Sequence, residues 1–555
     1  MPTTLARWIS IIWHPLLATA ISVVLSSALA GRLTQGLGAL LPVGALLAAV
    51  LGFIFWQIRS GGWTHVDASE PTERRGLNRF LLVGLVLAAG LAAAASASAE
   101  ITVGLAAAAA CMVVVSVCAR WLKISLHCLF AVLPLAWLWP SLVASALFVA
   151  MAVLVAASRL KLRRHSVAEV LCGLALGGMG AFAAVWVAPS PTAFKPTLLN
   201  CANAVERADG WAVGSLPTGA TERVCAQVKR QIDAGGNMHA LLIEQGGQLR
   251  FEAYTSGVDR PINALLPKLR HFDAGAVHDL RSISKSVLGL LVLIAHSEGS
   301  LPSLKRPVLD YFPEYADLRG GPLDALQLVH LLNMSTGLAW DESGSYASLA
   351  NSETRMRLSR DPLRYVLMRP RLAAPGERFL YSGGNSALLA EVLERATGQP
   401  LGAFAQTKLF APLGITRAEW VRDRHGKNLA YSGLRMSARD LARIGRLLLD
   451  DGRWRGHALL PSGVVKMLFE PKIDADDGLR YSDQWWLSPT NAEPAWIAAF
   501  GNGGQRLYLL PELDMTVVIF SGDYNRPHQG RAARALLRTA TDPAQRSPGR
   551  FYDTQ

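Results

Sequence analysis

The hydrophobic pattern divides the chain into two parts near residue 190. Before it, apolar runs of bilayer-spanning length follow one another with short polar interruptions, which predicts a bundle of membrane helices. Seven candidate helices can be drawn, at 9–30, 38–58, 80–98, 101–118, 124–139, 140–158 and 167–188. The fifth is short and lies directly before the sixth, so a count that differs by one is also open.

After residue 190 the apolar positions alternate or recur with helical spacing. Residues 240–254 have the pattern of strand, glycine turn and strand, and residues 506–510 and 515–520 form a second strand pair. Helical patterns lie between these pairs, at 287–295, 387–396 and 438–449. Terminal strands around a mostly helical middle predict an α+β domain whose antiparallel sheet joins both ends of this part.

Composition supports two parts of different kind. The 555 residues are 51% hydrophobic and 17% charged, which is too apolar for a soluble enzyme and too charged for a transporter made only of membrane helices. Disorder, collagen and a disulfide-scaffold peptide are excluded. The net charge is +13, but the basic residues of the first part sit in short clusters between apolar runs, where membrane topology explains them better than nucleic acid binding.

The basic clusters also predict an orientation. With seven helices they share one membrane face, and Arg32 is the one basic residue on the other. The positive-inside rule makes the basic face cytoplasmic and places the second part outside. We therefore expect a multi-pass protein of the inner membrane with 1–190 as membrane domain, 191–224 as linker and lead-in after a Pro-rich exit, and 225–555 as an extracytoplasmic domain.

Two of the six cysteines, Cys201 and Cys225, belong to the second part. Such a pair near the start of an exported domain is compatible with one disulfide in an oxidising compartment. Two unpaired small core residues are an equally open alternative.

Three polar islands interrupt the membrane part on one predicted face: 67–75, 123–127 and 158–165, with Glu169 four residues further on. They resemble the three signatures of the type-2 phosphatidic acid phosphatase family, the third island most closely. The resemblance implies His165 as nucleophile, Glu169 as its orienting carboxylate, His127 as general acid and Arg159 as phosphate ligand. Glu169 stands where the family has Asp, and Ile-Ser-Leu-His at 124–127 replaces Pro-Ser-Gly-His. The alternative is that these residues are juxtamembrane anchors.

The strongest chemistry in the second part is at 279–291, where Ser282 precedes an apolar helical run. Lys285 is then one turn further on the same face, close enough to share a proton with the Ser282 hydroxyl. A lysine acts as a base when burial or nearby positive charge lowers its pKa, and we expect the apolar run to supply that burial. The alternative is a serine N-cap followed by a solvated lysine.

Two further segments fit acyl-transfer chemistry. Tyr381, in Pro-Gly-Glu-Arg-Phe-Leu-Tyr-Ser-Gly-Gly-Asn, is suited to exchange a proton with Ser282 if Lys285 keeps it partly ionised. Gly503 and Gly504 precede the second strand pair and, with the Ser282 backbone, are the predicted oxyanion donors and substrate edge.

Together these motifs resemble the serine β-lactamase and penicillin-binding-protein superfamily, in particular its class C-like branch with carboxylesterases and 6-aminohexanoate-dimer hydrolases. Further signatures follow in family order at 331–338, 375–377, 413–415, 433–442 and 484–486, so the resemblance spans about 225–540. It implies an antiparallel sheet flanked by helices with an all-helical lobe, Ser282 as nucleophile, Lys285 as base and Tyr381 as second proton-transfer group. Gly383 replaces the amide or hydroxyl of the Tyr-x-Asn motif, and no Lys-Thr-Gly precedes the last strands.

We therefore expect a membrane-anchored serine hydrolase that cleaves a small-molecule amide or ester through an acyl-enzyme on Ser282. Its other partners are membrane lipids, and its oligomeric state is left open. No metal or organic cofactor is implied, since no His-Glu-x-x-His, paired Cys-x-x-Cys or Walker loop occurs. The alternatives are a lipid-phosphate phosphatase with an accessory outer domain, a receptor that binds β-lactams or wall fragments without turnover, and an inactive enzyme that keeps the fold.

Overall fold

A computed structural model of the chain describes residues 3–13, 15–29, 33–63, 71–94, 99–139, 141–187, 196–262, 264, 266–343, 346, 348–525 and 529–541. These form two compact units, which divide at residues 195 and 196 apart from a short loop at 265–269. The predicted Pro-rich exit at 188–196 lies almost wholly outside the described residues.

The first unit is helical. Its helices are α1 (Thr3–Ile12), α2 (Pro15–Leu29), α3 (Leu33–Arg59), α4 (Pro71–Ala94), α5 (Ala99–Cys118), α6 (Leu126–Val132), α7 (Leu135–Leu138), α8 (Leu142–Lys161) and α9 (Val167–Val187). Among the described residues, four stretches are long and apolar enough to cross a membrane: Thr72–Ala94, Ile101–Cys118, Val143–Lys161 and Val167–Val187. The unit is therefore compatible with a membrane domain.

The prediction of seven spanning helices differs from the structure at two prolines. The first predicted run, 9–30, is divided into α1 and α2, and Pro15 begins the second helix. The fifth, 124–139, is divided into α6 and α7 around Pro134. Proline has no N–H and clashes with the preceding turn, so an uninterrupted apolar run is not an uninterrupted helix.

Glycines let α9 approach α6 closely. A Cβ on Gly177 would lie 2.4 Å from the carbonyl oxygen of Leu129, and one on Gly173 would lie 2.6 Å from that of Ser125. Small residues at such crossings bring helix backbones together where lipid supplies no hydrophobic driving force between helices. This contact fixes the start of α9, which carries Glu169, against the start of α6.

The second unit is an α+β domain. Its helices are α10 (Ala220–Asp233), α11 (Ile283–Ser297), α12 (Leu328–Leu332), α13 (Ser352–Leu358), α14 (Pro362–Leu367), α15 (Gly383–Thr397), α16 (Leu401–Ala405), α17 (Ala438–Leu449), α18 (Val464–Phe469) and α19 (Gln529–Thr541). Its strands are β1 (Thr197–Asn203), β2 (Ala212–Val213), β3 (Met238–Gln245), β4 (Gln248–Asp259), β5 (Lys268–His271), β6 (His278–Asp279), β7 (Glu419–Trp420), β8 (Leu434–Met436), β9 (Arg453–Trp454), β10 (His457–Ala458), β11 (Ile473–Asp474), β12 (Arg480–Ser482), β13 (Trp485–Leu487), β14 (Ile497–Gly501), β15 (Gln505–Leu510) and β16 (Met515–Ser521).

The main sheet joins the two ends of this unit, as the sequence predicts. Its order is β1-β4-β3-β16-β15-β14-β13-β12-β11, and β2 and β5 pair with β4. The decisive contact is the antiparallel pairing of β16 with β3, in which Val518 lies opposite Leu242. Helices α11 and α17 pack against this sheet. The predicted fold class, an antiparallel sheet flanked by helices, is therefore confirmed.

The ordered fold starts before residue 225, the predicted start of the domain. Strand β1 pairs with β4, and Cys201 on β1 forms a disulfide with Cys225 on α10. The range predicted as linker and lead-in, 191–224, thus contains an edge strand and the first turn of α10. Of the two alternatives for this cysteine pair, the structure contains the disulfide.

Candidate active site

Ser282 and Lys285 face each other at the start of α11. The Lys285 Nζ donates to Ser282 Oγ over 2.9 Å and to the Tyr431 carbonyl oxygen over 2.9 Å. Ser282 occupies the N-cap position, but its side chain makes no capping bond, and Lys285 is only 1% exposed. The alternative of a capping serine with a solvated lysine therefore does not describe this helix.

The segment before Ser282 is held in an unusual conformation. Arg281 has φ of 53°, a left-handed conformation that non-glycine residues adopt at a cost. Its guanidinium lies over the Tyr524 ring, 4.5 Å from the centroid, and donates to the Arg260 carbonyl over 2.6 Å. Asp279, in turn, accepts from Arg435 on β8 over 2.7 Å. These contacts fix the backbone from which the Ser282 hydroxyl projects.

Tyr381 completes the cluster. Its ring lies beside the lysine, with the Lys285 Nζ 4.9 Å from the ring centre, and both Ser282 and Lys285 act to lower the pKa of its hydroxyl. The next residue, Ser382, caps α15 by accepting from the Asn385 N–H, which fixes the backbone beside the tyrosine. The ring also stacks on Trp486, with centroids 5.7 Å apart. Tyr381, 99 positions after Ser282 in the sequence, thus lies in the same buried site as Ser282 and Lys285.

The pKa of Lys285 is raised, contrary to the depression expected from its apolar helix. Burial alone would lower this pKa, but the acidic groups that surround the lysine, Tyr381, Glu342 and Glu353, together raise it. Burial raises the pKa of Tyr381 as well, although Lys285 acts against it. At neutral pH the resting pair is therefore an ammonium and a phenol, and the reactive form has lost one proton.

A carboxyl pair beside Gly383 was missed from the sequence. A Cβ on Gly383 would lie 2.9 Å from Glu353 Oε2 and 3.0 Å from Glu342 Oε1, and Glu342 already accepts from the Gly383 N–H over 2.6 Å. Burial, together with the charge of Glu342, raises the pKa of the buried Glu353 carboxyl to about 8. The missing side chain of the Tyr-x-Asn motif is thus replaced by two acids from a distant loop and from α13, which no short motif reveals.

Gly503 and Gly504, the glycines predicted as oxyanion donors and substrate edge, make other contacts in the structure. The Gly503 N–H donates to the Gln529 side chain, and Gly504 lies against Ser521. It is Gly501, at the end of β14, that meets the nucleophile segment: a Cβ there would lie 2.3 Å from the Leu280 carbonyl oxygen. Gly503 and Gly504 lie in the turn after β14. The close backbone approach to the nucleophile segment that was expected of them is made by Gly501.

Three of the predicted residues of the membrane part, Arg159, His165 and Glu169, lie close together. His165 Nδ1 and Glu169 Oε2 are 3.0 Å apart, and the same carboxylate accepts from the Ser166 N–H over 3.0 Å. Burial and the charge of Arg159 lower the pKa of His165 to about 4, so its imidazole is neutral at pH 7. Arg74, from the first polar island, donates to the Ile124 carbonyl in the second. His127 lies on the first turn of α6, half-buried.

Comparison with known proteins decides the family of the second unit. A sequence model of the Beta-lactamase family matches residues 235–541, more than half of the chain. The chain belongs to the beta-lactamase family. This membership also confirms the predicted resemblance and the enzyme class, a serine hydrolase of amide or ester bonds.

Individual relatives within the family act on different bonds. The chain is 28% identical over 303 residues to a 6-aminohexanoate-dimer hydrolase of Paenarthrobacter ureafaciens, which covers 51% of this chain and 72% of that protein. It is 34% identical over 144 residues to the esterase EstB of Burkholderia gladioli, covering 24% and 36% of the two chains. A solved structure of a class C beta lactamase from Rhodobacter sphaeroides covers 57% of this chain and 99% of its own, at 19% identity and a TM-score of 0.44.

Proposed function

We propose that the protein is a membrane-anchored hydrolase that cleaves an amide or ester through an acyl-enzyme on Ser282. The observation that carries this proposal is the buried cluster at the start of α11, in which Lys285 donates to Ser282 Oγ and lies beside the Tyr381 ring. A serine hydroxyl is a weak nucleophile until an adjacent group removes its proton. In this site the Lys285 and Tyr381 pair is the group within reach.

The reaction starts from the pair after it has lost one proton. Ser282 Oγ bonds to the substrate carbonyl carbon while its proton passes to the pair. The carbonyl oxygen becomes an oxyanion beside the first N–H groups of α11. As the tetrahedral species collapses, the bond to the leaving nitrogen or oxygen breaks, and the pair returns the proton to that atom. Water then attacks the acyl group in the same way and restores the Ser282 hydroxyl.

The surroundings of Tyr381 favour an apolar acyl group. Trp486, which stacks on Tyr381, also stacks on Phe500 with centroids 5.8 Å apart, and it contacts Phe379. Position 500 lies where related enzymes carry the Lys-Thr-Gly triplet, whose lysine helps to hold a substrate carboxylate. An aromatic side chain in this place favours esters or amides without a carboxylate over β-lactams and peptidoglycan peptides.

The location that we propose is the extracytoplasmic face of the inner membrane. Within the part of the first unit that the structure describes, four helices are long and apolar enough to cross a bilayer. The disulfide between Cys201 and Cys225 supports an oxidising compartment for the second unit, since such bonds persist outside the cytoplasm. The charge pattern of the first part supports the same side.

The test uses the full chain in detergent with a panel of p-nitrophenyl esters and anilides of increasing acyl length. We expect repeated turnover, a preference for medium and long acyl groups, and loss of activity in Ser282→Ala. Ser462→Ala, an exposed serine of the same unit, is the matched control. One stoichiometric burst with no further product would instead identify a receptor that is acylated without turnover.

A second candidate function is phosphoryl transfer in the membrane unit. The favouring observation is the His165–Glu169 contact, with a neutral imidazole next to the charge of Arg159. We propose that this pair releases phosphate from a lipid phosphate through a phosphohistidine. In vesicles that contain phosphatidic acid, phosphate release that disappears in His165→Ala and persists in Ser282→Ala would support it. Equal release by wild type and His165→Ala would contradict it.

A further inference from the structure

A buried cluster of two histidines and an aspartate lies outside the hydrolytic site. His239 is the second residue of β3, Asp259 is the last residue of β4, and His278 is the first residue of β6. All three side chains are fully buried, and their potential ligand atoms lie within 4.8 Å of one another. No step proposed for Ser282 uses them.

In each imidazole, the nitrogen that points away from the other ring faces a hydrogen-bond acceptor. The His278 Nδ1 lies 2.9 Å from the Asp279 carbonyl oxygen, so it must carry a proton. The His239 Nε2 lies 3.2 Å from Asn237 Oδ1, and the orientation of this amide is fixed because its Nδ2 donates to the Val258 carbonyl over 2.7 Å. The His239 Nε2 must therefore carry a proton too.

The other two nitrogens, one from each ring, face each other and are left without a proton. A neutral imidazole has one N–H, and both of these are directed outward, so His239 Nδ1 and His278 Nε2 oppose two lone pairs across 2.8 Å. Three contacts need three protons, whereas two neutral rings supply two. Something positive must lie between the rings, either a further proton or a metal ion.

A third donor atom points to the metal ion. Asp259 Oδ1 lies 3.9 Å from His278 Nε2 and turns toward the same space. Its carboxylate is held by Tyr524, which donates to Oδ1 over 2.8 Å, and by Arg270, which donates to Oδ2 over 2.6 Å. Hydrogen bonds from neighbouring protein groups that orient each ligand side chain are typical of metal centres.

We propose that His239 Nδ1, His278 Nε2 and Asp259 Oδ1 bind one Zn²⁺ ion. Neutral imidazole and carboxylate are ordinary zinc ligands, and tetrahedral bonds of about 2.0–2.1 Å place ligand atoms roughly 3.3–3.5 Å apart. The rings therefore separate slightly and the carboxylate moves inward when the ion binds. A proton would instead leave a buried imidazolium whose nearest carboxylate, Asp259, is already paired with Arg270, and whose ring faces are covered by Phe272 and Phe520.

The place of the ion in the fold indicates a structural role. His278 precedes Asp279 and Arg281, which hold the backbone at Ser282, and Tyr524 lies under the Arg281 guanidinium. The ion would thus tie the ends of β3, β4 and β6 to the segment that presents the nucleophile.

The test is the metal content of the full chain, purified in detergent without chelator after equilibration with Zn²⁺ and removal of the excess. We expect one zinc per chain in the wild type and in His425→Gln, a control that removes an exposed histidine, and a loss of at least tenfold in His239→Gln and Asp259→Asn. X-ray absorption of the zinc-loaded wild type should show imidazole nitrogen and oxygen neighbours.

Two results would overturn the proposal. One is a wild-type protein that reacts with a serine probe, and is therefore folded, yet retains no zinc. The other is bound zinc with sulfur neighbours, which would come from the free cysteines of the first unit. Because both readings use the wild type, neither depends on whether the variants fold.

Discussion

Replacement of Lys285 by methionine isolates the contribution of its ammonium group, because methionine keeps the unbranched, apolar stem in the buried channel. The change removes the 2.9 Å contact with Ser282 Oγ and leaves the Tyr431 carbonyl without this donor. It also removes the one lysine charge beside Tyr381, so the phenol becomes harder to ionise. Both effects slow proton transfer from Ser282.

The expected loss follows from the value of a positioned proton-transfer group. General acid–base catalysis contributes about 10²–10⁴-fold, so the barrier to acylation should rise by about 3–5 kcal/mol. Glu353 is protonated at neutral pH, so the change does not leave a charged carboxylate at this position without its counter-charge.

The assay is stopped-flow acylation of the full chain by an activated ester at pH 7, with release of the acyl group followed separately. Lys466→Met removes an exposed lysine on α18 and serves as the matched control, with unchanged rates. Acylation by Lys285→Met at more than a third of the wild-type rate, in a protein that melts normally, would refute the role given to this residue.

Three further predictions follow from the charges. Because the pKa values of Lys285 and Tyr381 are both raised, kcat/KM should still be rising above pH 8; a plateau below pH 7 would contradict the resting state described above. The folded pKa of Glu353, about 8, exceeds its usual 4.5, so the stability that this group contributes is complete below pH 4.5 and is lost as the pH rises through 8. Glu353→Gln should therefore show a smaller fall in melting temperature between pH 6 and pH 9 than the wild type, and an unchanged fall would argue against the assignment. Arg439→Met should lower the free energy of unfolding by about 3–5 kcal/mol, since it leaves the buried Glu252 unpaired, whereas exposed Arg453→Met should change the melting temperature little.

Local relationships were predictable from the sequence. The strand pairs with short turns, the buried helix α11 and the Ser282–Lys285 spacing each depend on a few neighbouring residues, so periodicity and one helical turn suffice to place them. Tyr381 is distant from Ser282 in the chain. Its role was predicted from the family resemblance, which rests on the order of several motifs.

Long-range relationships were not predictable. The pKa of Lys285 is raised rather than lowered because Tyr381, Glu342 and Glu353 act against the effect of burial, and the two glutamates come from elements with no motif of their own. The close glycine is Gly501 rather than Gly503, since sequence does not fix how far β14 extends before its turn. The proposed zinc ligands could not be predicted from the sequence either, because each lies on a different strand and no short motif joins them.

The proposed function depends above all on Ser282 being an activated nucleophile. The most direct measurement is to treat the full chain in detergent with a fluorophosphonate and to locate the adduct by mass spectrometry. We expect one adduct, on Ser282, that is absent in Ser282→Ala and present in Ser462→Ala. A well-folded protein that remains unlabelled, or that is labelled on another serine, would contradict it.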